Sequence, residues 1–288
     1  MRKSFDPFRV MALAGASGFL LACGGGDAGS GGAASDDGGD DAAASAPAVD
    51  PATTGAVVGT ITFTGAVPAP EMIDMSDEPV CNDKHGGQPM RSPVKAGDGG
   101  GLAEVFVYIK EGLAEQDWGA AGAMATLDQN GCEYVPHVLG LRTGQDLEIV
   151  NSDGLLHNIN ASPEANRGFN ISQPTNMTST RSFSQPEIMI PLRCDVHGWM
   201  EAYVAVMEHP FFAVSAEDGT YRIEGLPAGD YTIAIWHETL GEREMVVNVA
   251  AQAEATADFS VDESLAGTAR MGHPVAMHDA HAGGAAAR

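Results

Sequence analysis

The segment Arg193-Cys194-Asp195-Val196-His197-Gly198-Trp199-Met200 places a thiol, an imidazole and a thioether at the spacing C-x2-H-x2-M, close enough to meet on one tight loop. One Cys and two His in a plane, with a weak and distant Met, is the donor set of a mononuclear type-1 (blue) copper site. Zinc fits less well, because a thioether is a poor zinc ligand and structural zinc sites take several Cys or His. The loop lacks only the second histidine. Asn151-Ser-Asp-Gly-Leu-Leu-His157-Asn158 supplies one just after a β-like run. The stretch between His157 and Cys194 leaves room for two or three strands of ordinary length, which can return the chain to the same end of a sandwich. His85, His137 and His209 are the alternates, and the position of His137 before the first ligand strand favours a supporting or structural role.

Cysteine arithmetic bears on the same loop. The chain opens with Arg2, Lys3 and Arg9, followed by an apolar stretch from Val10 to Ala22, the pattern of an export signal too short to span a membrane. Its end, Leu20-Leu21-Ala22-Cys23, resembles the bacterial lipobox, in which the cysteine is lipidated after cleavage. Gly24 rather than Asp follows the cysteine, which by resemblance to enterobacterial sorting signals implies the outer membrane. The expected location is therefore the periplasmic side of a bacterial envelope, with the membrane touched through the lipid on Cys23 alone. Cys81, Cys132 and Cys194 then remain in an oxidising compartment, where two can pair and the third is a reactive thiol or a ligand.

Positioning such a loop requires a rigid β scaffold, and the chain beyond residue 54 has one. Short β-branched runs recur at Ala56–Thr64, Glu104–Lys110, Gln145–Asn151, Glu187–Cys194 and Glu201–Met207, with Gly, Pro, Asn and Asp between them. Leu113–Ala125 is the one stretch with room for a short helix. An all-β, antiparallel Greek-key sandwich is expected over 55–209. Residues 24–54 are Gly, Ala, Ser and Asp with little to bury, and predict a disordered tether reaching ~30 Å. From 210 to 262, the turns at Asp218-Gly219 and Gly225–Gly229, with alternating Tyr221 and Ile223, predict a second, smaller sandwich in which His237 is structural. The tail, 263–288, has no core pattern, and its Met271, His273, Met277, His278 and His281 are soft groups suited to weak copper capture.

On these motifs, residues 56–208 resemble the cupredoxins, with the ligand-loop spacing of amicyanin and of plastocyanin-like proteins of methylamine utilisation. The resemblance implies His157, Cys194, His197 and Met200 as ligands of one copper, with the Asn158 amide steadying the ligand loop. Gly198 departs from it, standing where Pro is common. The second unit resembles the carboxypeptidase regulatory-like (transthyretin-like) sandwich and the middle domain of rhamnogalacturonan lyases, where it is a noncatalytic module. Cys81 and Cys132, on either side of the early strands, are the expected disulfide.

The expected function is electron transfer without catalysis, with copper delivery or storage, or a noncatalytic binding module, as alternatives. No His-x-His pair of the kind common in copper enzymes occurs. A net charge of −24 repels nucleic acid and suits a redox partner with a basic docking surface, such as a cytochrome or a copper enzyme. The Asn-x-Ser/Thr matches at Asn160, Asn170 and Asn176 are read as chance in a bacterial lipoprotein.

Overall fold

The computed structural model describes residues 50–265. The export signal, Cys23, the tether up to residue 49 and the tail residues Met271, His273, Met277, His278 and His281 lie outside the described residues. Between Thr54 and Glu111 run β1 (Thr54–Phe63), β2 (Glu71–Met72), the short helix α1 (Pro79–Lys84), β3 (Met90–Arg91) and β4 (Phe106–Glu111). The middle of the chain forms β5 (Ala125–Gln129), β6 (Tyr134–Val135), β7 (Val138–Arg142), β8 (Leu147–Asn151) and β9 (His157–Ala161). It continues through β10 (Phe169–Gln173), β11 (Thr178–Arg181), β12 (Glu187–Arg193) and β13 (Glu201–Met207). Then follow β14 (Phe212–Val214), β15 (Thr220–Pro227), β16 (Gly229–His237), β17 (Gly241–Val249), β18 (Glu254–Thr256) and β19 (Phe259–Val261).

These strands build two sandwiches. In the first, the sheet β10-β9-β12-β13-β7 faces the sheet β11-β8-β5-β6. Its core is filled by alternating inward residues, among them Leu127, Leu147, Ile149, Ile159, Ile190 and Val204. In the second, β15-β1-β18, with β19 also on β1, faces β14-β4-β16-β17 over Val57, Ile61, Val107, Ile223, Ile233 and Ile235. Each such aliphatic side chain stabilises its sandwich by roughly 1.5–3 kcal/mol on leaving water.

The architecture is all-β, but not purely antiparallel. Strands β1/β18, β1/β19, β5/β8 and β7/β13 pair in parallel. Nor do the sheets divide at residue 209. Strand β1 lies between β15 and β18, and β4 lies between β14 and β16, so the early strands complete the C-terminal sandwich rather than the ligand-bearing one. The reason lies in β4, whose Val107 and Ile109 face the second core while Phe106 and Tyr108 meet Val138, Met189 and Ala205 of the first sandwich. A strand buried on both faces reads as a continuous apolar run and does not announce which sheet owns it. The two sandwiches approach so closely at Gly140 that a Cβ there would lie 2.4 Å from the Phe212 ring.

Leu113–Ala125 forms no helix. Gly112 and Gly119 take positive φ angles that break the spiral, and Leu113 and Trp118 pack against the second core from an irregular segment. Among the described residues the α-helix is α1, which starts with Pro79 and carries Cys81. Cys81 forms a disulfide with Cys132, and Cys194 is a buried free thiol.

Candidate metal centre

Strands β9 and β12 pair antiparallel, with Arg193 opposite Asn160, so the start of β9 and the end of β12 open at the same end of the first sandwich. His157 begins β9, and the loop Cys194–Met200 links β12 to β13. The loop closes on itself. Cys194 N donates to Met200 O (3.2 Å), Met200 N to His197 O (2.9 Å), and His197 N to Cys194 Sγ (3.3 Å). The His197 N–H thus fixes where the sulfur sits in the loop.

Asn158 ties this loop to β9. Its Oδ1 accepts from Asp195 N (2.5 Å) and Val196 N (3.3 Å), while its Nδ2 donates to Asp195 Oδ2 (3.1 Å). Hydrogen bonds from Asn160 and Asn170, then Asn158, hold the Asp195 carboxyl below the usual range. Two of the Asn-x-Ser/Thr asparagines, Asn160 and Asn170, thus brace the ligand loop. Tyr134 donates to Asn158 O (2.5 Å), and burial, with the charge of Cys194 and Asp195, pushes its phenol pKa upwards.

The structure brings His157, Cys194 and His197 together: one donor atom from each lies within 4.8 Å of the others, and all three residues are buried. His157 Nδ1 and His197 Nδ1 stand 2.8 Å apart, and Cys194 Sγ lies 3.9 Å from His197 Nδ1. An ion bound at about 2.0 Å to nitrogen and 2.3 Å to sulfur spans an N···S distance of ~3.7 Å at trigonal angles. Met200 closes the same loop, 1% exposed, in the cluster that holds Cys194.

The decisive residue is one the motif did not point to. Asp153, four positions before His157, accepts from His157 Nε2 at 2.8 Å. Nε2 therefore carries the proton in the neutral ring, and Nδ1 presents a bare lone pair to His197 and Cys194. Burial alone would raise the Asp153 pKa; Lys84 Nζ (2.9 Å), the N–H groups of Cys132 and Gly131 (2.7 Å each) and His157 outweigh it and lower it. Asn151 shapes the turn, its Oδ1 accepting from Asp153 N (3.1 Å) and its Nδ2 donating to Leu155 O (2.8 Å). An Asn-x-Asp turn just before a histidine is the only trace of this in the sequence.

His197 faces Glu78 Oε1 through Nε2 at 3.7 Å. Burial, and then the neighbouring His157, lower its pKa against the opposing pull of Glu78, favouring the neutral ligating ring. The alternates go elsewhere. His85 Nε2 donates to Gly131 O (2.8 Å), His137 Nδ1 to Glu201 O (3.0 Å), and His209 Nδ1 accepts from Phe211 N (3.2 Å). His237 Nδ1 caps a turn, accepting from Thr239 N (3.1 Å).

The donor set, two imidazole nitrogens and one cysteine sulfur, suits a borderline-soft ion, and a thioether on the same loop leans the choice to copper over zinc. Fold and site define an all-β protein with a buried Cys-His-His cluster at one end of a sandwich. No protein-family model and no curated protein matches the sequence, so no family supports the carboxypeptidase regulatory-like reading of the second sandwich. Solved structures give partial likenesses only. A Cu-containing nitrite reductase from Thermus scotoductus SA-01 is 18% identical with a TM-score of 0.29, over 34% of this chain and only 25% of that one. A purple cupredoxin from Nitrosopumilus maritimus is 20% identical with a TM-score of 0.26, over 29% and 99%. A methionine-to-alanine mutant of amicyanin in its Cu(I) form is 12% identical with a TM-score of 0.27, over 34% and 100%. At these scores the reading of the site rests on its donor atoms.

Proposed function

We propose that this protein binds one copper ion through His157, Cys194 and His197, with Met200 as a weak fourth donor, and serves as a noncatalytic electron carrier on the periplasmic side of a bacterial envelope, anchored through Cys23. The observation that carries the reading is the Asp153–His157 hydrogen bond, which aims the His157 lone pair at the other two donors before any ion arrives. Preformed ligands held by hydrogen bonds rearrange little when the charge at their centre changes, which suits electron transfer. Burial supports a carrier over an enzyme or a delivery protein: with His157, His197 and Cys194 at 0, 1 and 3% exposure, a substrate lacks a face to bind and an acceptor chaperone lacks an exposed ligand to capture. The acidic surface suits a partner with a basic docking patch.

The test is the visible and electron paramagnetic resonance spectrum of protein lacking the first 23 residues and loaded with Cu(II), beside Cys194→Ser. An intense sulfur-to-copper charge-transfer band with small hyperfine splitting, both lost in the variant, is expected. Copper binding that is colourless, or equal without Cys194, overturns the reading. Rapid loss of copper to a chelator would instead mark a delivery protein.

A further inference from the structure

His197 is roofed. The segment from Ile73 to Lys84, stapled by the Cys81–Cys132 disulfide, brings Glu78 to His197 Nε2 and packs Met75 and Cys81 against Trp199. The histidine edge is thereby closed to direct contact with another protein. Trp199 is not closed. Its ring lies against the His197 ring with centroids 5.1 Å apart at a 32° tilt, its Nε1 donates to Cys132 O (3.1 Å), and it also forms part of the wall of an open cleft of about 540 Å³.

That cleft runs between the two sandwiches. Tyr134, Val135, Trp199 and Met200 come from the ligand-bearing one, while Val214 and Glu238 come from the other. Four carboxylates line it, Glu104, Glu133, Glu201 and Glu238, against the cations Arg91 and Lys95. Lys95 pairs with Glu104 (2.7 Å), Arg91 and Arg193 both pair with Glu201 (3.5 and 3.6 Å), Glu238 faces His137 (3.2 Å), and Glu133 is exposed at the rim. The balance is acidic, on a chain already at −24.

We infer that this cleft, rather than the tip of the ligand loop, is the docking face for a redox protein presenting lysine side chains, and that Trp199 is the contact linking the docked surface to His197. The inference rests on the electron-carrier reading, but the surface is testable without copper. The cleft supplies what a lysine-bearing surface needs: the exposed Glu133 carboxylate, with a lining in which carboxylates outnumber Lys and Arg, for the ammonium groups, and aromatic and aliphatic walls for the stems. The competing face is Leu156 and Val196, each 47% exposed beside a candidate ligand.

The experiment is a 1H–15N spectrum of the copper-free protein titrated with hexaamminechromium(III), a trivalent, paramagnetic and redox-inert cation. The Trp199 indole N–H and the amides of Tyr134 and Val135 are expected to broaden first, and Glu133→Lys to weaken that broadening by about threefold or more. Broadening centred on Leu156 and Val196, at another acidic surface, or unchanged by Glu133→Lys, overturns the inference. On copper-loaded protein, hexaammineruthenium(II) gives up one electron, becoming ruthenium(III), as copper(II) becomes copper(I) and the blue band bleaches. Trp199→Leu should slow that bleaching at least threefold with the band itself intact, and Trp199→Phe should restore most of the rate. An intact band with an unchanged rate in Trp199→Leu sinks the role of Trp199, whereas an absent band in wild-type protein sinks the copper reading and leaves the cation map standing.

Discussion

Replacing Asp153 by Asn tests the site at its support rather than at a ligand. One carboxylate oxygen accepts from Gly131 N and Lys84 Nζ, the other from Cys132 N and His157 Nε2. An amide has a single acceptor oxygen, so in either orientation its NH2 group faces two donors, and two of the four interactions are lost. Hydrogen bonds to a charged acceptor contribute roughly 1.5–3 kcal/mol each, and the half-exposed Lys84 sits at the low end, so Asp153→Asn should destabilise the copper-free protein by about 3 kcal/mol. With the amide NH2 towards Nε2, His157 shifts its proton to Nδ1 and no longer presents a lone pair to Cys194 and His197. Supporting partners of this kind are worth ~10–100-fold in metal affinity. Urea unfolding of the copper-free protein and competition for copper against a chelator measure the two effects. An Asp153→Asn protein with the wild-type urea midpoint and the wild-type copper affinity would refute the assignment of Asp153 as the residue that orients His157.

Replacing both Cys81 and Cys132 by Ser opens a loop with a sequence separation of 51, worth about 4 kcal/mol in the chain-entropy picture, and the loss should be seen as a lower urea midpoint; a change below ~1 kcal/mol would show the segment is held by other contacts. His237 is pushed down to about 4, chiefly by burial, with Glu238 and Glu104 opposing. The unfolded chain takes up this proton near pH 6.5 and the folded chain does not, so stability falls as pH drops from ~6.5 to ~4 by up to about 3 kcal/mol. His237→Asn should lose stability less steeply over that window, and parallel pH profiles for the two proteins would count against a neutral, turn-capping His237. Residues 210–262 expressed alone should give an unfolded circular dichroism spectrum, because β1 and β4 occupy central places in their sheets; a folded fragment would contradict the shared sandwich.

The candidate donor loop was legible in the sequence because it is local. A C-x2-H-x2-M spacing puts three donors on one loop whatever surrounds them, and Asn158 beside His157 is adjacent to its own task. The strand runs were legible because β-branched residues and turn residues act over a few positions, so β13 matches its expected bounds, Glu201–Met207. Ownership of strands was not. Phe106 to Ile109 is apolar at every position since both its faces are covered, and only the folded chain reveals that β4 serves the C-terminal sheet. The room for a short helix over Leu113–Ala125 goes unused for the same reason: Leu113 and Trp118 are apolar because of a distant core, not a helical face. Nor could spacing show that Lys84, Cys132 and Asp153, far apart in the chain, converge behind His157, or that Glu78 and a disulfide-stapled segment cover His197. The sequence determined which atoms can ligate. The tertiary structure decided their orientation and their burial, because each depends on groups brought close by pairing between strands remote in the chain.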